Sequence, residues 1–206
     1  MALESTTPDA AELVVSLAQA GLIQFGRFSQ PNGAVWPVAV HLRWLPSYPR
    51  LLRDVAGVLA PRAAATGADR MLTTQEAIPL GTAVSLAAGL PMVYPYGRVY
   101  NHTPAYAIEG AYDVGHPTLL LSDVLLDAAQ AEVITRLARR VGLEITLALS
   151  VLDLGIGAQA ELVRAGFAVD VILTLAEALP ILEREGLLPA RMRAAVENWM
   201  MEQQRR

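Results

Sequence analysis

The residues with the clearest chemical potential lie in one short segment, Leu119 to Ala129, LLLSDVLLDAA. The run Thr118 to Leu121 is the kind of strand that a parallel sheet buries on both faces. Ser122 and Asp123 follow at its C-terminal end, where open α/β sheets present side chains to ligands. Leu126-Asp127-Ala128-Ala129 then opens a helix. The backbone amides of a helix start attract anions, but Asp127 is itself an acid placed to cap the helix with those same amides.

The other polar candidates are scattered. His41, His102 and His116 have no metal-ligand spacing, so no metal site is expected. A lone histidine such as His102 is more often a surface or hydrogen-bonded residue than a catalyst. Gly155-Ile156-Gly157 precedes a helix but lacks the third glycine of a dinucleotide fingerprint. Ser85 and Ser150 lie outside any nucleophile-elbow pattern. Tyr94, Tyr96, Tyr100, Tyr106 and Tyr112 form an aromatic-rich stretch. It suits a pocket for a planar ligand, and suits equally the packing of a subdomain or a dimer interface.

Composition narrows the classes. The chain has 206 residues, 53% of them hydrophobic and 17% charged, which suits a compact α/β domain with a buried core. A net charge of −4 argues against a nucleic-acid partner. The absence of cysteine removes disulfides, thiolate zinc sites and cysteine nucleophiles. The N-terminal MALESTTPDAAELV carries early acids and no basic region, unlike a signal peptide, and no apolar run is long enough to span a bilayer. A cytoplasmic protein without membrane association is expected. All 16 basic residues are arginine, as a GC-rich genome would favour.

The elements that must position these residues alternate. Helices are predicted near 8–20, 47–59, 78–88, 128–141, 158–165, 175–185 and 189–203. Asp9 and Glu12 form a capping box for the first, and Ser47 caps the second ahead of Pro49. The terminal helix is polar-faced. Strands are predicted near 22–28, 35–42, 70–73, 92–94, 118–121, 145–152 and 169–172, with 95–105 as a Pro-, Gly- and Asn-containing loop. In helix 128–141 the apolar spacing selects Val133, Ile134, Leu137 and Val141. Strands alternating with helices in this way indicate a parallel sheet with helices on its faces. No repeat or linker divides the chain, so residues 1–206 are expected to form a single domain.

Four segments, in order, resemble the orotate phosphoribosyltransferase family. Phe25-Gly26-Arg27-Phe28 with Asn32-Gly33 and Trp36-Pro37 resembles its N-terminal hood. Ile78-Pro79-Leu80 and the alanine-rich helix after it resemble the element following the pyrophosphate loop. Asn101-His102 and Ile108-Glu109-Gly110 resemble its flexible loop and the turn beyond. Residues 119–129 resemble its motif for phosphoribosyl pyrophosphate (PRPP). The resemblance runs from about residue 20 to 185. It implies an α/β fold with a central parallel sheet of phosphoribosyltransferase type, flanking helices and a small hood from about 20–45 and 95–112. It also implies a homodimer, and Mg²⁺ if PRPP binds.

Carried over residue by residue, the resemblance is uneven. Asp123 matches the second of two ribose-binding acids, and Ser122 stands where the first belongs. His102 matches the loop histidine. Asp127, with Ala128 and Ala129, stands in the loop that binds the 5′-phosphate. Like charges about 4 Å apart repel by about 4 kcal/mol at an effective dielectric of about 20, so a capping Asp127 blocks that site. The family's cationic positions fall on Tyr96, Gly97, Tyr100, Glu76, Leu154 and a residue near Pro31. Lysine-to-arginine drift would have left arginine there, and only Arg98 lies close enough to serve.

The leading expectation is an orotate-phosphoribosyltransferase-like protein without ordinary transferase catalysis. It would bind a nucleotide or nucleobase at the old site through Ser122, Asp123, Asp127, Ala128, Ala129, Tyr96 and Tyr100, in a binding or regulatory role. The first rival is an active enzyme forming a nucleoside monophosphate, such as orotidine monophosphate, from PRPP and a base. In it Asp123 sits at the ribose, His102 on the mobile loop and Arg98 at pyrophosphate. The second rival is a structural or partner-binding dimer whose pocket is filled.

Overall fold

The computed structural model describes residues 8–30, 33–100 and 103–205, with the backbone alone over 98–100 and 103–106. Helix α1, Ala10–Gln19, starts at a capping box. Asp9 accepts from the Glu12 amide at 2.8 Å, and Glu12 accepts in return from the Asp9 amide. Its buried residues are the predicted Leu13, Val14 and Leu17.

Strands β1, Ile23–Ser29, and β2, Val35–Val40, pair antiparallel as a separate two-stranded sheet, with an irregularity between Phe25 and Phe28. A 3-10 turn over Leu42–Ser47 leads into α2, Pro49–Ala65. Two expectations change here. Ser47 belongs to the 3-10 turn, and Tyr48 takes the cap position without a side-chain bond. The helix also runs past residue 59 and through Pro61. An interior proline costs about 3 kcal/mol, and burial of Leu59, Ala60 and Ala63 on a continuing apolar face offsets it.

The main sheet has the order β5-β4-β3-β6-β7-β8. Its parallel strands are β3, Arg70–Thr73, β4, Met92–Tyr100, β6, Pro117–Val124, β7, Glu144–Asp153, and β8, Ala168–Thr174. β5, Thr103–Glu109, runs antiparallel at one edge. The predicted loop over 95–105 is thus mostly strand. Beyond Met92 and Val93, β4 pairs only with β5, with Pro95 opposite Ile108 and Gly97 opposite Tyr106. Proline and glycine are tolerated on such an edge, while alternate tyrosines favour extended backbone.

β6 is the central strand. Leu119 and Leu121 join a core with β7 and the helices of one face, including Leu149, Val151 and Leu179. Leu120 joins the other core with Leu72, Val93 and Ile134. The remaining helices are α3, Ile78–Ala88, α4, Ala128–Arg140, α5, Ala158–Arg164, α6, Leu175–Arg184, and α7, Ala190–Gln204. In α4 the buried residues are Ala131, Ile134, Thr135 and Ala138, while Val133 is 67% exposed. Leu137 and Val141 pack partly buried against the same core as Ile134, so three of the four predicted positions face the sheet, and Val133 borders the cleft instead. The terminal α7 is less polar than expected, because Val196, Trp199 and Met200 are buried. Trp199 packs on Trp36 of β2, ring centroids 5.1 Å apart.

No helix among the described residues is long and apolar enough to cross a membrane. Close packing of α3 on β3 depends on Gly81, whose added Cβ would collide with the Thr73 methyl and lie 3.0 Å from Met92 Sδ. Gly81→Ala is expected to destabilise the fold by about 1–3 kcal/mol, read as a lower urea midpoint with an unchanged slope.

Candidate functional site

The C-terminal ends of β3, β6 and β7 open into a cleft of about 690 Å³. Each strand delivers a different group. β3 is followed by Thr74-Gln75-Glu76, β6 ends around Asp123, and β7 ends at Asp153. The start of α4 and Glu161 of α5 close one side, and Trp36 of β2 stands at the other. Trp36, Glu76, Asp123 and Leu154 also line an adjoining hollow of about 580 Å³ under the β1-β2 sheet, together with Arg27, His41 and Arg43.

Asp123 therefore sits at the junction of the two spaces. Its Oδ1 accepts the Val124 amide at 2.9 Å. Burial pushes its carboxyl above the usual carboxylate range; backbone hydrogen bonds and Arg43 pull it back down, and Glu76 pushes it further up. Asp153 is 4% exposed and accepts the Gly155 amide at 2.9 Å. Burial raises its carboxyl as well.

Asp127 caps α4. Its Oδ1 accepts the Gln130 amide at 2.8 Å, and the Gln130 side chain accepts the Asp127 amide at 3.3 Å. A second carboxylate reaches the same helix end: the Ala128 amide donates to Glu161 Oε2 at 3.3 Å. Ala129 lies in the same first turn, exposed.

The other anticipated residues divide. Ser122 is 2% exposed and shares a hydrogen bond of 2.6 Å with Ser150, so its hydroxyl is engaged inside the sheet and leaves the cleft to Asp123. Pairing of Ser122 with Ser150 across β6 and β7 explains both residues. Tyr96 is on β4, 47% exposed, and is not among the cleft's lining residues. His102 lies outside the described residues, as do the side chains of Arg98 and Tyr100. His116 lies at the opposite edge of the sheet, where buried Arg70 donates to its Nδ1 at 2.8 Å and to the Ala111 carbonyl. That is a structural contact holding the strand entry. Gly155 is likewise structural, with its carbonyl accepting from the Gln204 side chain at 2.6 Å.

Several lining groups carry no local sequence signal. Arg43 comes from the turn after the β1-β2 strands, and Glu161 from a helix. Asp123, Asp127, Arg27 and Trp36 belong to segments that carry the family resemblance, and Glu76 and Leu154 are positions where its cation is missing; all of them line these spaces. Chemically, the deep space offers carboxylates that accept hydrogen bonds from hydroxyl or amino groups. The hood space offers guanidinium groups to an anion, beside a histidine stacked on Trp44 with centroids 4.1 Å apart.

No family model matches the chain. It is 29% identical to orotate phosphoribosyltransferase of Caenorhabditis elegans over 150 residues, covering 71% of this chain and 66% of that protein. The structure of Leishmania donovani UMP synthase is similar with a TM-score of 0.84 and 24% identity, covering 95% of this chain and 43% of that one. Orotate phosphoribosyltransferase from Aeropyrum pernix is similar with a TM-score of 0.67 and 22% identity, over 84% of this chain and 98% of the other. The chain spans 37% of the length of a bifunctional enzyme PyrF/PyrE of Nostoc and 40% of that of uridine 5′-monophosphate synthase of Bos taurus, which it also matches. These relatives and structural neighbours are orotate phosphoribosyltransferases and UMP synthases, matched at low identity, and the chain's fold is the type I phosphoribosyltransferase fold.

A carboxyl raised by burial destabilises the folded state once ionised. That cost is absent below the unfolded carboxylate range, where Asp123 is protonated in both states. It is complete only above the raised folded value. Asp123→Asn keeps an acceptor for the Val124 amide, so it is expected to raise the thermal midpoint at neutral pH. The gain should vanish as pH falls below the usual carboxylate range in a calorimetric series.

Proposed function

Taking the orotate phosphoribosyltransferases as this chain's relatives, we propose that it is a phosphoribosyltransferase-like protein that binds a nucleobase- or nucleotide-type molecule without ordinary phosphoribosyl transfer. The observation that carries this reading is the lining of the deep cleft. Glu76, Asp123, Asp127, Asp153 and Glu161 supply five carboxylates, and no arginine or histidine joins them among the described residues.

PRPP is a polyanion, and its reaction needs the departing pyrophosphate stabilised by cations or oriented donors. The described cleft presents the opposite charge. Two positions that carry a cation in the family's pattern hold Glu76 and Leu154 here. Mg²⁺ would arrive with the pyrophosphate, since no group of three His, Cys, Asp or Glu suited to a metal occurs among the described residues. The site role retained by this reading belongs to Asp123, with Asp127 lining the cleft, Ala128 and Ala129 in the first turn of α4 that it caps, and Tyr96 and Tyr100 on the adjacent strand β4. The chain acts as a cytoplasmic homodimer in a binding or regulatory role.

The names of the relatives favour a second reading, active transfer forming a nucleoside monophosphate. It requires Arg98 and His102 of the β4-β5 hairpin to reach the cleft. Calorimetric titration with Mg²⁺-PRPP, with and without orotate, separates the two. The expected result is no heat from PRPP at millimolar concentration and no pyrophosphate released. Micromolar PRPP binding with orotate-dependent pyrophosphate release would establish the transferase reading in its place.

A further inference from the structure

The amides at the start of α4 are already committed. The Ala128 amide donates to Glu161, and the Gln130 amide donates to Asp127. These carboxylates come from different places in the chain, one from the cap itself and one from α5, 33 residues away. Only the Ala129 amide of that first turn has no acceptor among the described residues. One amide beside two carboxylates is a poor seat for a phosphate, because the helix-end charge that would favour it is already neutralised.

The two connected spaces differ in charge. The deep space is lined by five carboxylates and no arginine, whereas the hood space is lined by Arg27 and Arg43 together with two of those carboxylates, Glu76 and Asp123. Neither arginine forms an ion pair with another described residue. Asp123 and Trp36 stand where the spaces meet. Each space lies within the roughly 300–1,000 Å³ typical of small-molecule sites. A ligand fitted to this pair of spaces has hydrogen-bond donors at its deep end, a planar body at Trp36, and negative charge under the hood.

We propose that the cleft selects an unphosphorylated nucleoside bearing an acidic base, and that Asp127 and Glu161 act as a built-in substitute for its missing 5′-phosphate. The sugar hydroxyls donate to Asp123 and Asp153. The base lies toward Trp36 and presents its anionic group to Arg27 and Arg43. This inference rests on the nucleobase-site reading above and adds to it the phosphorylation state of the ligand and the reason for it.

The test compares orotidine with orotidine 5′-phosphate by calorimetry on the full chain. Orotidine is expected to bind at least about tenfold more tightly, the ratio equivalent to 1.4 kcal/mol. Two paired variants then address the cause. Asp127→Asn with Glu161→Gln removes both charges while an amide oxygen keeps the cap. Asp127→Gly with Glu161→Ala opens the helix end. Both should shrink or invert the preference, mainly by tightening orotidine 5′-phosphate.

Tighter binding of orotidine 5′-phosphate by the unaltered chain would overturn the inference and leave the nucleobase-site reading standing. A preference that persists unchanged in the charge-neutral variant would also overturn it, because the two carboxylates would then not be its origin. Failure of orotidine, its phosphate and orotate alike to bind would overturn both the inference and the reading beneath it.

Discussion

Leu119 and Leu121 point to one face of the sheet and Leu120 to the other, and this alternation at the central strand fixes the position of everything that lines the cleft. A register slip of one residue would exchange the two faces. Such a slip would also move Ser122 and Asp123, exchanging the buried hydroxyl with the cleft-facing carboxylate. The parallel pairing of Leu121 with Leu149, and of Ser122 with Ser150, locks β6 to β7. Asp123 and Asp153 consequently reach the same cleft from adjacent strands.

That placement has an electrostatic consequence. Desolvation raises both Asp123 and Asp153. Backbone amides hold both carboxylates directly, and Arg43, from the hood side, offsets part of the cost at Asp123. Polar groups of this kind are stabilised by a ligand that donates hydrogen bonds and destabilised by one that brings more negative charge. The arginines are present nearby, but on the hood. Their displacement from the deep cleft is a matter of position rather than of composition.

The hood is held by the far end of the chain. Trp199 of α7 packs on Trp36, and Gln204 of the same helix donates to the Gly155 carbonyl beside the cleft wall. Gly155 sits at φ +69°, a left-handed conformation that favours glycine, and a Cβ there would displace the end of the Met200 side chain. The terminal helix therefore braces both walls of the cleft, the hood through an aromatic contact and the β7 loop through a hydrogen bond. It is part of the site's support although it contributes no lining side chain to the two main spaces.

The sequence by itself determined the elements whose signals are local. The Asp9–Glu12 capping box, the two-sided burial of residues 118–121 and Asp127 as a cap all follow from a few adjacent side chains. The family resemblance located Asp123 and the charge deficit at Glu76 and Leu154 by the order of its segments. Tertiary structure decided the rest. The stretch 95–105 becomes a hairpin because an open sheet edge accepts Pro95 and Gly97, a fact invisible in the dipeptides themselves. Val133 lies on the cleft side of α4 and stays exposed, while its neighbour Ile134 is buried against the sheet. Glu161 meets the Ala128 amide, and Arg27 and Arg43 meet the space beside Asp123, only because distant elements are packed together. Helix caps and buried strands are encoded over a few residues. A cleft's charge pattern is a sum over residues far apart in sequence, and only packing performs that sum.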